Sequence, residues 1–401
     1  MQSNKSTGLI YCFNLHIMVF ISANFAMYYG PRSINEREIL RLIRTHHALP
    51  KSKLSHLTGL SAQSATVIMN KLEADNLVIR LPAVKGGVGQ PKVPFSLNPE
   101  GAFGVGLTIG RRSYDMTLLD LTGKVRNKVE EVIPYPTPES LMAFVRRAYA
   151  TLVMPLSESL QAKISGLGVA MPFDMWQWAD EIGAPVDALK QWEQFDIKES
   201  VSTLLSLDVF VRNDAAAACN GELSLGNCHQ WSDFLYLYVG TFIGGGLVLD
   251  NRLFSGKTGK AGAVGTLPFN TTDTTHQLIN QSSLCLLERQ LLASGEKGEQ
   301  LYGNTSRWAF DDGLQQEWLE NTAQGLTFAI QCAMSLLDLQ GIYIDGAIPL
   351  DIKQKLVKQT QYALGRQDLR GLSQVQVDAG SIGSNAPSIG SANVPLVANF
   401  F

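Results

Sequence analysis

Apolar positions keep a helical period between Ile34 and Leu72 and change to short strand-like runs after Phe103. Ser33 is placed to cap a helix over Ile34–His46, with Ile39, Leu42 and Ile43 on one face. Ala48-Leu49-Pro50 interrupts the pattern, and Lys51–Thr58 predicts a short second helix carrying Leu54 and Leu57. Gly59 and Leu60 make a tight turn. Ser61 then caps a third helix whose apolar stripe, Ala65, Ile68, Met69 and Leu72, recurs at i, i+3, i+4 and i+7. Strands are expected at Leu77–Leu81 and Val93–Leu97, joined by Gly86-Gly87-Val88-Gly89-Gln90-Pro91. Three helices followed by a β-hairpin are the order of a winged helix-turn-helix.

Asn98-Pro99-Glu100 reads as a junction. Beyond it, strands are expected at Phe103–Ile109, Asp115–Leu121, Ile164–Ala170, Asp208–Val211, Phe234–Gly240, Leu247–Leu249 and Gly341–Ile344. Helices are expected over residues 138–160, 215–223, 275–295, 313–338 and 351–364. Strands alternating with helices and Gly-rich turns predict an α/β body. Three parts result: 1–30, a leader; 31–98, the winged helix-turn-helix; 99–401, the body. The leader carries an apolar run broken by Asn14 and His16, with no clear cleavage site. It resembles a signal peptide only in part, and is expected to be a disordered extension or the product of a start upstream of the true one.

Charge sharpens this division. The 401 residues are 45% hydrophobic and 17% charged, which excludes a disordered chain and leaves room for two or three domains. The net charge is −3, yet residues 31–95 hold ten Lys/Arg against four acids, or +6. Lys5 adds one more, so the remainder carries −10. A basic head on an acidic body points to nucleic acid at the head alone. The third helix offers Gln63, Ser64, Thr66, Asn70 and Lys71 for groove edges and phosphates, Ser61 sits at its cap, and Lys85 lies at the wing tip. Five cysteines, an odd number without a CxxC pair, fit reduced thiols in the cytoplasm and exclude a zinc finger.

Five stretches of the body, VGLTIGRRSYDMTLLDLTGKV, GLGVAMP (166–172), RNDAAAACNGE (212–222), YVGTFIGGGLVLDNRLFSGKTGKAGAVG (238–265) and the ending AGSIGSNAPSIGSANVP, resemble the ROK family of repressors and sugar kinases. That resemblance implies a two-lobed, actin-like ATPase (ribonuclease H-like) fold from about Phe103 onward, and the winged helix in front matches the family's repressor branch. It also implies that Asn213 and Asp214 are the sugar-binding pair in which the Asp takes a hydroxyl proton, with Pro172 and Glu288 beside the ligand.

The departures from the family pattern bear on activity. The kinases' first phosphate loop, Asp-x-Gly-Gly-Thr, has become Thr108, Ile109, Gly110, Arg111 and Arg112. The second, around Gly240, Thr241 and Gly244, carries Phe242 at a glycine position. The late glycine pair is Asp345-Gly346. The sugar-contacting Glu and His of Gly-Glu-x-Gly-His are replaced across Gly262–Thr266, and the zinc block has Ile279, Gln281 and Leu286 at its ligand positions, with Cys285 falling at a glycine, so no metal and no cofactor are expected.

The sequence therefore predicts a regulator that binds double-stranded operator DNA as a homodimer or higher oligomer, senses a sugar or sugar derivative, has lost kinase activity and does not enter membranes. Arg111 and Arg112 admit two readings: solvated surface arginines, or a sharper hypothesis in which they draw an anion, such as a sugar phosphate, into the former phosphate loop. The alternatives are an ATP-dependent hexose kinase with a DNA-binding head, and a DNA-binding protein whose body only dimerises.

Overall fold

A computed structural model describes residues 32–83, 92–227, 230–269, 276–302 and 307–401. The expected leader, the wing tip with Lys85 and the connection 86–91 lie outside the described residues. The chain divides into two units. One holds the residues up to Ala102 together with Leu396–Phe401, and the other holds Phe103–Pro395.

In the first unit, helix α1 spans Ile34–His46. Its N-terminus is a reciprocal cap: Glu36 N donates to Ser33 Oγ at 3.3 Å and Ser33 N donates to Glu36 Oε2 at 2.8 Å. Strand β1 is Leu49–Pro50, α2 is Lys51–Thr58, and α3 is Ala62–Ala74. Gly59 closes α2 at φ +69, a left-handed conformation that glycine adopts without penalty. Strands β2 (Val78–Arg80) and β3 (Pro94–Leu97) pair antiparallel, and β3 also pairs with β1. Leu49-Pro50, which reads in sequence as an interruption, is thus the third strand of a small sheet. Ile39, Leu40, Ile43, Leu54, Ala65, Met69 and Leu72 form the interior; Leu40, rather than Leu42, fills the core side of α1.

The four acids of residues 31–95 are each mated to a cation. Arg32 pairs with Asp75, Arg41 with Glu38, Lys71 with Glu36 and Arg80 with Glu73. Arg37 is buried and donates to the carbonyl oxygens of Val397 (2.8 Å), Ala398 (3.1 Å) and Phe401 (2.6 Å), and Arg44 lies over the Phe401 ring at 4.3 Å. A guanidinium on the last carbonyls of a helix is favoured by hydrogen bonding and by the helix dipole.

The second unit carries two five-stranded sheets of one pattern. In the first, β4 (Phe103–Ile109), β5 (Ser113–Asp120), β6 (Val125–Val132), β7 (Ile164–Met171) and β8 (Val209–Asn213) lie in the order β6-β5-β4-β7-β8. The second, made by β9 (Phe234–Val239), β10 (Ile243–Leu249), β11 (Arg252–Phe254), β12 (Gly341–Gly346) and β13 (Gln376–Ala379), lies in the order β11-β10-β9-β12-β13. In each, the first three strands in chain order form antiparallel pairs and the last two add in parallel. Every residue of β9 and β12 is buried, as central strands covered on both faces require.

Helices α4 (Pro138–Val153), α5 (Ile197–Leu205), α6 (Asp214–Leu225), α7 (Leu284–Ala293), α8 (Asp312–Leu336), α9 (Leu350–Leu364) and α10 (Ala386–Phe400) complete the described elements used below. The helix expected over 138–160 ends at Val153, and the one expected over 275–295 begins only at Leu284. Helix α10 is absent from the sequence expectation because its Ala, Gly and Ser positions form no stripe. Those residues are small so that backbones can touch. A Cβ on Gly390 would lie 1.8 Å from Ala217 O of α6, and one on Gly168 of β7 would lie 2.0 Å from Ser391 O. Gly390→Ala is therefore expected to cost about 1–3 kcal/mol through overpacking, read from denaturant unfolding; an unchanged midpoint would contradict this packing. Among the described residues no helix is long and apolar enough to cross a membrane.

Candidate functional site

Strand ends from both sheets of the second unit meet around a cavity of about 480 Å³, a size suited to a small ligand. One wall is the β4–β5 turn with Thr108, Gly110, Arg111 and Arg112. Another is the β9–β10 turn with Gly240, Thr241, Phe242 and Gly244. Pro172, Asn213 and Asp214 also line it. The structure thus brings together the predicted residues of four separate motifs.

Asn213 ends β8 and caps α6: Ala215 N and Ala216 N donate to its Oδ1 at 3.1 and 3.3 Å. That fixes its side chain and leaves its amide NH₂ for a ligand. Ala215 N also donates to Asp214 Oδ1 at 2.9 Å, and Asp214 Oδ2 lies 3.7 Å from Arg111 Nη1. Arg111 is stacked on Phe242, its guanidinium carbon 4.0 Å from the ring centroid, and Phe242 meets Trp178 edge-on at 5.5 Å. Burial pushes the Arg111 guanidinium below its ordinary range, opposed by the Asp214 carboxylate. Its Nε is buried without a hydrogen-bond partner among the described residues.

Phe242 and Arg111, at two of the positions where the family resemblance implies glycines, stand in loops far apart in sequence and fill one space together. The third such position is also occupied internally. Asp345 at the end of β12 is fully buried, accepting from Lys353 Nζ at 2.8 Å, Tyr236 Oη at 3.0 Å and Gly383 N at 2.9 Å.

Two expected site residues take other roles. Arg112 donates to Ile182 O at 2.8 Å and Nη2 reaches Glu288 Oε2 at 3.4 Å, so its charge is spent on the fold rather than on an anion. Glu288 is not among the cavity-lining residues. Its carboxylate also accepts from Tyr302 Oη at 2.9 Å. The zinc-block positions hold no metal set: among the described residues no group of His, Cys, Asp and Glu could hold an ion. Cys285 is buried, and desolvation pushes its thiol up to about 11. Cys219, Cys285 and Cys332 are free thiols.

The sequence did not single out a second polar group on the cavity wall. Lys128 Nζ of β6 lies 2.6 Å from Asp115 Oδ2 and 3.4 Å from Glu130 Oε2, and donates to Asn385 Oδ1 at 2.9 Å. Burial raises the Asp115 carboxyl above its usual range, opposed by the Lys128 ammonium. The one available signal was an acid in mid-strand, Asp115, between apolar neighbours. Lys260 and Asp174 form a further ion pair at the cavity.

On α3, Ser61, Gln63, Ser64, Thr66, Asn70 and Lys71 are all exposed. Ser61 accepts from Ser64 N at 3.1 Å, as expected of a cap.

Solved structures share this architecture. A ROK family transcriptional regulator described as a homologue of the Escherichia coli MLC protein superposes with a TM-score of 0.63 at 19% identity, covering 91% of this chain and 96% of that one. A ROK family glucokinase from Streptomyces griseus, solved with glucose and AMPPNP, gives 0.57 at 19% identity over 73% of this chain and 99% of its own. The ROK family model matches residues 104–394, so the chain belongs to the ROK family. In sequence it is 24% identical to the xylose repressor of Bacillus subtilis over 245 residues, 60% of this chain and 62% of the repressor. It is also 23% identical to the protein y4fQ of Sinorhizobium fredii over 379 residues, 92% of each.

Proposed function

We propose that this chain is a DNA-binding transcriptional regulator, a repressor of carbohydrate-related genes, that senses a sugar in the cavity without using ATP. The observation that carries the reading is the refilled nucleotide site. Arg111 is mated to Asp214 and Phe242, and Asp345 to Lys353 and Tyr236, where a kinase needs open glycines beside phosphate and adenosine. The repressors among the relatives and the MLC-like regulator support the same direction. The first unit supports a winged helix-turn-helix: α2, the Gly59 turn and α3 have the required order, with the polar face of α3 exposed. Two copies reading two half-sites would act as a homodimer. A ligand switches DNA affinity only by binding two conformations unequally, and closure of the two lobes around the cavity is the element proposed here.

The ligand is proposed to be a neutral polyhydroxy compound. Asp214 balances Arg111, Glu288 balances Arg112, Asp174 balances Lys260, and Asp115 and Glu130 outweigh Lys128, so the cavity offers no surplus cation. The sequence-based hypothesis of an anion at Arg111 and Arg112 loses its basis in this pairing. Calorimetry is expected to show that a bound sugar's phosphate ester binds no more tightly than the free sugar. Tighter binding of the ester, abolished by Arg111→Ala, would contradict this.

The function itself is tested by sequencing the DNA that the purified chain retains from sheared genomic fragments. One enriched motif is expected, and recovery of genomic background alone overturns the regulator reading. A second reading, a hexose kinase, is favoured by the retained Asn213-Asp214 pair. A coupled ADP-release assay over a hexose panel is expected to show no turnover, and turnover abolished by Asp214→Ala would establish the kinase.

A further inference from the structure

Helix α3 presents a large apolar side chain, Val67, in the middle of its exposed face. At 3.6 residues per turn, Gln63, Val67, Asn70 and Ala74 run down the centre of that face, with Thr66 and Lys71 at its margins. Val67 is 63% exposed, while Ala65, Met69 and Leu72 take the core side of the same helix. In sequence Val67 does not stand out, because an apolar residue beside the stripe reads as part of it.

The polar neighbours are mostly occupied. Thr66 Oγ1 donates to Ala62 O at 2.7 Å, and Ser64 Oγ shares a hydrogen bond with Ser61 Oγ at 2.9 Å. Lys51 Nζ donates to Asn70 Oδ1 at 2.7 Å. Lys71 Nζ lies 2.6 Å from a carboxylate oxygen of the buried Glu36. Gln63 is exposed and its amide makes no hydrogen bond among the described residues. The free amide and the exposed valine stand one turn apart on the most accessible line of this helix, and neither takes part in the packing of the core.

We propose that Gln63 and Val67 are the pair that reads base identity, at A·T pairs, in the major groove of the operator. The inference rests on the DNA-binding reading of the first unit. A glutamine amide matches adenine N6 and N7, and the thymine C5-methyl is the apolar group a valine can meet on the major-groove edge. Side chains four apart on a helix have Cβ atoms about 5–6 Å from each other, against a base-pair rise of about 3.4 Å, so the two residues address the same or the next base pair. Both lie in the N-terminal half of α3, the part of a recognition helix that reaches base edges. The +6 charge of residues 31–95 supplies complementarity to the duplex.

The test replaces each thymine of the retained motif by deoxyuridine, one position at a time, and measures binding by the full chain. Uracil lacks the methyl and keeps every hydrogen-bonding group. One thymine in each half-site is expected to lose about fourfold in affinity on replacement, the burial of one methyl group. Val67→Ala should make thymine and uracil equivalent there. Gln63→Ala should keep that discrimination and relax selection at an adjoining adenine. A motif in which no thymine responds to uracil, or discrimination that survives Val67→Ala, overturns this assignment and leaves the operator reading standing. Retention of no motif overturns both.

Discussion

Between 50 and 200 mM salt, operator affinity is expected to fall on the order of 10³-fold. The arithmetic comes from which cations are free. All four acids of residues 31–95 are mated to Arg32, Arg41, Lys71 or Arg80, while Arg37 and Arg44 serve the C-terminal residues. Of the cations left among the described residues, Lys53 and Lys92 are exposed and Lys51 is partly so. Three per head and the two heads of the proposed homodimer give six phosphate contacts, the lower end of the range in which counterion release costs about 10³ to 10⁵ over this interval. Fluorescence anisotropy with the enriched motif at four salt concentrations measures the slope. A change below tenfold would mean that the surplus charge of the head does not face the duplex.

Lys353→Met is expected to cost about 3–5 kcal/mol, because it strands a buried carboxylate. Asp345 is wholly inaccessible and Lys353 nearly so, and the ammonium also donates to Gly380 O at 2.7 Å. Met keeps the length of the side chain, so the loss reports charge rather than a cavity. The same logic makes Asp345→Gly, which restores the residue type of the kinases, destabilising: it leaves Lys353 buried without its partner. Urea unfolding at constant slope measures both. A loss under 1 kcal/mol for Lys353→Met would show that water reaches the pair and that the network does not hold this end of β12 closed.

The head was legible because its signals are local. Caps at Ser33 and Ser61, the turn at Gly59 and a helical period place α1, α2 and α3 at their observed bounds. The body was legible where strands are apolar runs, as in β4, β7 and β9. Strand β6, VRNKVEEV, was missed because one half-exposed edge strand in a polar sequence carries no apolar run. Gly244-Gly245-Gly246 reads as a loop yet lies within β10, because α6 packs there without room for side chains. A Cβ on Gly244 would come within 2.6 Å of Ala215 Cβ, and one on Gly246 within 2.4 Å of Cys219 Cβ. The cavity residues were found through their motifs. Their bonding was not, since neither the Arg111–Phe242 stack nor the capture of Glu288 by Arg112 and Tyr302 leaves a local pattern.

Control of operator affinity by a sugar, and not by a nucleotide, is the centre of the proposed function. The direct measurement is operator affinity across a panel of neutral sugars, in the absence of ATP, with ADP release followed in parallel samples that contain it. At least one sugar is expected to shift affinity tenfold or more, with no ADP formed. Unchanged affinity across the panel, together with ADP release that depends on Asp214, would contradict the account.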